Sequence, residues 1–286
     1  MDAIHFAVPA FLVLIIIEAL VGFWRGRYQY EMRDAAASMA LFAGNAALVT
    51  ALKAFDLAVF AAFYEYRLFE IGFTPAGWLA CFVAIDVAYY WFHRANHEVR
   101  FFWAAHVNHH SSEEYNFTTA LRQSWTTPLT KWAFFMPLPL LGFHPMMLAI
   151  AGAFSTIYGF WTHTRHIGDL GVFEKILVTP SHHRVHHGSN PEYLDRNYAN
   201  MFIGWDKLFG TFEPERSPVR FGLTKNIHTY NPIRIAFHEW VDMVRDVVDA
   251  RRPGDALRYL LGRPGWRPDG YRITPREASA GARVSD

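Results

Sequence analysis

The 286-residue chain is 52% hydrophobic, 17% aromatic and only 19% charged, against roughly 25% charged in an ordinary soluble domain. Its formal net charge of +1 gives no global electrostatic case for a nucleic-acid partner. The single Cys81 excludes an internal disulfide and a multi-cysteine zinc site, so any metal must rest on the 15 histidines.

In chain order, IHFAVPAFLVLIIIEALVGFW (4–24) is long enough to cross a bilayer. It lacks a basic n-region and a small-residue cleavage site, and RGRYQYEMR follows as a stop-transfer flank, so it reads as a retained helix. A second apolar run covers about 35–52. Residues 55–73 hold Asp56, Glu65, Arg67 and Glu70 and read as an interfacial amphipathic helix. AGWLACFVAIDVAYYWF (76–92) is a further span, and 128–161 reads as a hairpin that dips in and returns, with Gly142 and Pro145 at its turn. The expectation is therefore an all-α integral membrane bundle of about four transmembrane helices, with a helical cap. Residues 1–75 form the N-terminal spans, 76–212 the catalytic domain and 213–286 a polar Arg/Pro-rich cap and tail. The tail holds the helical stretch FHEWVDMVRDVVDA and an expected mobile end, REASAGARVSD.

Arg25, Arg27 and Arg33 after the first span, and the Arg-rich tail, place those ends in the cytoplasm under the positive-inside rule. Threading the spans from there puts every histidine cluster on that same cytoplasmic face. The membrane would be a bacterial inner membrane, or that of the endoplasmic reticulum in a eukaryote.

The histidines recur at helical spacing. His93 and His97 lie four apart, continuing the third span. His106, His109 and His110 repeat offsets of three and four, as do His183, His186 and His187. His163 and His166 follow the hairpin, and His182 adjoins the last cluster. Neutral imidazole is the commonest side-chain metal ligand. One zinc or iron takes about four to six ligands, so nine imidazoles are awkward for one ion and natural for two. His166 and His182 divide evenly between ligand, outer donor and surface residue, while His5, His144, His228 and His238 read as satisfied core histidines. An all-imidazole shell suits zinc, iron or copper over magnesium or calcium, and two such ions at a bilayer surface suit a di-iron centre activating dioxygen. Asp86, an acid inside a span and on the same stripe as His93, is a candidate to balance charge behind the ligands. Glu98, Glu113, Glu114, Asp195 and Asp206 are candidates to accept from outward ring N–H groups. Trp91, Phe92, Phe101, Phe102 and Trp103 are placed to line a lipid entrance. The NFT sequon at Asn116 falls between histidine clusters on the expected cytoplasmic side, which argues against its modification.

YYWFHRANHE, WAAHVNHHSSEEYNFTTALRQS, WTHTRHIGDLG and TPSHHRVHHGSNPEYLDRNYANMFIGWDKLFGTFE together resemble the fatty acid hydroxylase (sterol desaturase) superfamily. The likeness runs over about Asp86–Phe221 and is strongest to the alkylglycerol monooxygenase branch with its bacterial relatives. It implies a membrane non-haem di-iron enzyme that uses dioxygen on lipid C–H bonds. It also implies ligand roles for His93, His97, His106, His109, His110, His163, His183, His186 and His187, and matches Glu98 to an acidic position of the ether-lipid-cleaving enzymes. His166 is outside the shared pattern. Relatives with similar boxes hydroxylate acyl groups, act on sterols or desaturate, so the resemblance names the oxidant rather than the substrate. The expected function is lipid hydroxylation with two iron ions and dioxygen, the reductant being tetrahydrobiopterin or an external electron donor. Zinc in place of the two irons is a further expectation for the protein as purified; the rivals in function are a desaturase of the same superfamily, a zinc-dependent membrane hydrolase and a non-catalytic metal scaffold.

Overall fold

The computed structural model describes residues 3–270, with side chains from Ala7 onward. Among these residues there is no strand; the extended pairing is one isolated antiparallel bridge, Leu177 to Phe202. Fourteen α-helices follow in order: α1 (Ala3–Trp24), α2 (Met32–Glu65), α3 (Pro75–Glu98), α4 (Arg100–Ala104), α5 (Val107–His110), α6 (Phe117–Ala120), α7 (Thr127–Thr130), α8 (Trp132–Phe135), α9 (Pro137–Leu141), α10 (Pro145–Trp161), α11 (Pro180–His186), α12 (Gly204–Phe209), α13 (Pro232–Val248) and α14 (Pro253–Leu261). The expected mobile stretch 276–286 lies outside the described residues, and the expectation for the His5 ring falls before the described side chains.

Three helices, α1, α2 and α3, are long and apolar enough to cross a membrane, with mean hydropathies of 2.3, 1.8 and 1.2 over their apolar windows. The expected 35–52 span and 55–73 interfacial helix are not separate. They run together as α2, whose 34 residues measure about 51 Å, well beyond a hydrocarbon core of about 30 Å. Neither glycine nor proline interrupts Ala46–Glu65, and Asp56 is paired with Lys131 at 3.6 Å, so the helix has no reason to stop. The expected hairpin keeps only its second arm, the 17-residue α10. Its first arm breaks into α7, α8 and α9 because Pro128, Pro137 and Pro139 each remove a backbone donor. Gly142 then turns the chain with φ 107, at a point where a Cβ would stand 2.1 Å from the Phe69 carbonyl oxygen.

Packing joins the pieces. The α3 side chains Cys81, Ile85 and Ala88 meet Met147, Leu148 and Ala151 of α10. Phe11 of α1 stacks on Phe160 of α10 at 3.9 Å between centroids, and Phe117 of α6 covers the other face. Ala37 and Leu41 of α2 pack against Ile235 and Ala236 of α13. Outward, α1 exposes Val13, Ile16 and Ile17, α2 exposes Phe55 and α3 exposes Leu79. Such a surface belongs in lipid, where a helix satisfies its own backbone and needs no polar coat.

The three long helices alternate in direction, and one end of each is tied to the cap. Near the C-terminal end of α1, Glu18 accepts from the Phe117 amide at 2.8 Å and from the Thr164 hydroxyl. At the N-terminal end of α2, Asp34 accepts from Ser112 at 2.6 Å and pairs with Arg122 at 3.1 Å. The C-terminal end of α3 carries His93 and His97. All the histidine clusters therefore sit at one end of the spans, the end that carries Arg25, Arg27 and Arg33.

Candidate metal centre

Local signals place each histidine. Thr74 caps α3, its side chain accepting from Gly77 N at 3.1 Å with Pro75 in the first turn, and the helix continues unbroken to His93 and His97. His106 stands just before the single turn α5, which ends in His109 and His110. His163 follows the end of α10. α11 opens on Thr179 and Pro180 and delivers His183 and His186, with His187 at its C-terminal cap.

Nine histidines from these distant segments converge in two groups, each with its candidate ligand nitrogens within 4.8 Å of one another: His93, His97, His106, His110 and His186, and His109, His163, His183 and His187. Two pairs of neighbours in sequence, His109 with His110 and His186 with His187, send one ring to each group. That holds the groups side by side, and the His110 and His187 rings stack at 4.3 Å.

The nitrogen positions fit cations. A backbone carbonyl only accepts, so contacts from Nδ1 to Tyr198 O at 2.7 Å for His93, to Gly159 O at 2.8 Å for His163 and to Arg196 O at 3.0 Å for His186 put the proton on Nδ1. A neutral ring then presents Nε2 as a bare lone pair. Yet His163 Nε2 faces His109 Nε2 at 3.3 Å and His183 Nε2 at 3.0 Å, and His106 Nε2 stands 3.1 Å from both His93 Nε2 and His110 Nε2. Two nitrogens each 2.0–2.1 Å from one ion would be about 3.0 Å apart at a right angle and about 3.4 Å apart at a tetrahedral angle. The buried His97 Nε2, His186 Nε2 and His187 Nε2 have no hydrogen-bond partner at all. Facing lone pairs and orphaned buried nitrogens are the mark of rings built to share a metal.

Burial, reinforced by the neighbouring rings, holds His106, His109, His110, His183, His186 and His187 well below the ordinary imidazole value. Burial alone lowers His163 to about 4. The rings are therefore neutral at pH 7, as ligands must be.

The acids do other work. Asp86, expected to stand behind the ligands, accepts from the Met201 and Phe202 amides at 3.0 Å each and from Trp205 Nε1 at 2.9 Å. These donors come from the first turn of α12 and the loop entering it, and none is an imidazole. Asp206 accepts from the Tyr198 and Ala199 amides at 2.8 and 2.9 Å. Glu98 takes Arg94 at 3.0 Å and Arg263 at 3.8 Å, lining a cavity of about 550 Å³ with Asp195 and Glu213. Glu114 pairs with Arg165, and Glu113 with the exposed His228, which corrects the expectation of a core His228. Asp195 alone among these carboxylates approaches a clustered ring, 3.8 Å from His97 Nδ1.

His166 and His182 lie outside both groups. His166 sits against Gly22 of α1, where a Cβ would meet its Nε2 at 3.3 Å, and His182 closes the capping box of α11 and faces Glu174 at 3.7 Å. His144 caps α10, its Nδ1 accepting from Met146 N at 3.1 Å, and His238 donates to Ile235 O at 3.0 Å. Of the entrance aromatics, Trp91 is exposed, Phe92 is buried on Phe134 and Phe135, and Phe101 and Phe102 meet Trp240 and Phe134. Trp103 reaches the site itself, 5.3 Å from the His97 ring. Asn116 is 1% exposed as the cap of α6 and donates to Gln29 O at 2.6 Å, so burial keeps its amide from a glycan. Sequence reading missed the carbonyls of Gly159, Arg196 and Tyr198, because a backbone oxygen leaves no mark on residue type. The one hint was the short polar run DRN at 195–197.

Residues 78–211 match the fatty acid hydroxylase family. The chain is 40% identical to human alkylglycerol monooxygenase over 278 residues, covering 95% of this chain and 62% of that protein. It is 37% identical to the Xenopus tropicalis alkylglycerol monooxygenase, covering 95% of this chain and 61% of that protein. To the ornithine lipid hydroxylase OlsE of Rhizobium tropici it is 27% identical, over 75% of this chain and 69% of that protein. The chain thus spans about three-fifths of the length of the vertebrate relatives it matches. No solved structure matches it. The nine clustered histidines all lie within residues 78–211, so the double site falls inside the segment that matches the fatty acid hydroxylase family.

Proposed function

We propose that the protein is a membrane-bound monooxygenase that hydroxylates a lipid C–H bond with dioxygen, its two histidine groups each holding an iron ion. The observation that carries this reading is the convergence of nine imidazoles into a five-nitrogen and a four-nitrogen group at one end of the apolar helices. Bound iron would supply the activation of dioxygen and the oxidising power for an unactivated C–H bond. The chain supplies the rest. Residues 76–212 hold the rings, residues 1–75 anchor the site in lipid, and α13 of the 213–286 segment braces α2 and α4. The basic residues Arg25, Arg27 and Arg33 beside the site support a cytoplasmic face for it.

The reaction balances as one lipid C–H, one dioxygen, two electrons and two protons giving one alcohol and one water. A tetrahydropterin or a redox partner delivers the electrons. The alkylglycerol monooxygenase likeness favours an ether lipid, and hydroxylation beside the ether oxygen gives a hemiacetal that falls apart to an aldehyde and a glycerol. Anaerobic purification with metal quantification, then lipid mass spectrometry under ¹⁸O₂, tests this. Two irons per chain and one ¹⁸O in the product are expected. A product lighter by two hydrogens would make it a desaturase, and turnover that persists without oxygen on zinc would make it a hydrolase.

A further inference from the structure

Within the four residues Asp195–Tyr198, two backbone carbonyls accept from two of the five rings in the first group and a carboxylate faces a third. Arg196 O takes His186 Nδ1 at 3.0 Å and Tyr198 O takes His93 Nδ1 at 2.7 Å, while the Asp195 carboxylate stands 3.8 Å from His97 Nδ1. The last distance is that of a charge contact rather than a hydrogen bond. The backbone is left-handed at Asp195 (φ 58) and Asn197 (φ 54), a conformation that side-chain-bearing residues adopt at a cost. It persists because the loop is gripped from outside. The Asn197 amide donates to His182 O at 3.1 Å and Glu213 O at 2.7 Å and accepts from Glu213 N at 2.9 Å, while Asp206 holds the two amides beyond. In the second group, His163 is fixed by Gly159 in the last turn of α10, just before it, instead.

We propose that 195–198 is a positioning loop for the five-histidine group alone. Its carbonyls fix tautomer and ring orientation, and Asp195 contributes the one negative charge behind a ligand. This rests on the reading that both groups hold metal. Partners behind a ligand are worth about 10–100-fold in metal affinity, so the two groups should respond differently to a change in the loop.

The test uses the full chain in nanodiscs, stripped of metal and titrated anaerobically with cobalt(II), with binding followed by visible absorption. The wild type should show two steps, and His97→Ala identifies the step belonging to the five-histidine group. Asp195→Gly removes the carboxylate yet adopts φ 58 without strain, so its thermal stability should match or exceed wild type. Its five-histidine step should weaken about 10–100-fold while the other stays within about twofold. Asp195→Asn keeps a carbonyl acceptor and should fall between the two. A wild type that takes two cobalts, with both steps weakened equally or neither weakened in the Asp195 variants, overturns the loop's role and leaves the metal reading standing. A wild type that binds no cobalt overturns both.

Discussion

The spans and the histidine cap of this molecule treat polarity in opposite ways. In α1, Val13, Ile16 and Ile17 are 54%, 58% and 49% exposed, while the cap buries Arg122 and Asp206 to 1% and 0% exposure together with eight of the nine clustered histidines. The reason lies in the backbone. A long helix closes its own hydrogen bonds and can wear apolar side chains outside. The cap is short turns and loops whose amides need partners, and buried carboxylates and guanidinium groups supply them. Asp86 and Asp206 thus serve the scaffold around the candidate metal site rather than the rings.

The largest effect should come from breaking the cap at its purpose. His109→Ala leaves His163, His183 and His187 one nitrogen short. Lipid oxidation should fall by more than about a hundredfold, since loss of partners merely behind a ligand already costs about 10–100-fold in metal binding or activity. Metal analysis should show the four-histidine group emptied, with helical content by circular dichroism unchanged. Retained turnover would mean that this group is not a metal site.

Next is the buried pair that fastens the cap to the spans. Arg122 donates to Asp34 at 3.1 Å, Ser38 at 3.2 Å and Asn108 O at 3.0 Å, joining α2 to the turns around α5. Arg122→Met leaves the Asp34 carboxylate buried without its cation and should cost about 3–5 kcal/mol. The double variant with Asp34→Leu should recover much of that loss. Unfolding in detergent micelles measures both, and a double variant no better than the single would show that the hydrogen bonds, not the charges, matter.

That contrast also explains what the sequence made legible. Apolar runs announce α1 and α3, and histidine spacing picks out eight of the nine clustered rings, because both signals are carried by residue type, while His163 stands out only by following the last apolar run. The merger of two segments into α2 was hidden, since Asp56, Glu65, Arg67 and Glu70 mark an interfacial stretch until Asp56 is seen beside Lys131. The roles of Asp86 and Glu98 were hidden for a related reason. A carboxylate near histidines in sequence points wherever the nearest unsatisfied donors are, and here those are the 201–205 loop and Arg94. The sorting of His109 from His110 and His186 from His187 depends on how α5 and α11 face each other, which no local pattern records.

A smaller effect follows from protonation. His163 is lowered to about 4 in the folded cap, below an unfolded value near 6.5. Between those values the unfolded chain binds a proton that the folded cap refuses. The stability is therefore complete above pH 6.5 and is lost as pH falls toward 4. The difference amounts to about 3 kcal/mol for this one ring. His106, His109, His110, His183, His186 and His187 shift in the same direction. Urea unfolding of chelator-treated protein at pH 7.5 and 4.5 should show this loss, and a flat profile would place His163 in contact with water.

The smallest effect is expected on the outer face of the spans. Ile17→Ala removes apolar atoms from a half-exposed position in α1. In water such a face would be a liability, but lipid tails are as apolar as the side chain they replace, so truncation there forfeits little. The change in unfolding free energy should stay within about 0.5 kcal/mol in a bilayer mimic. A loss of 2 kcal/mol or more would mean that this face packs against protein, making α1 an interface between chains rather than a wall facing lipid.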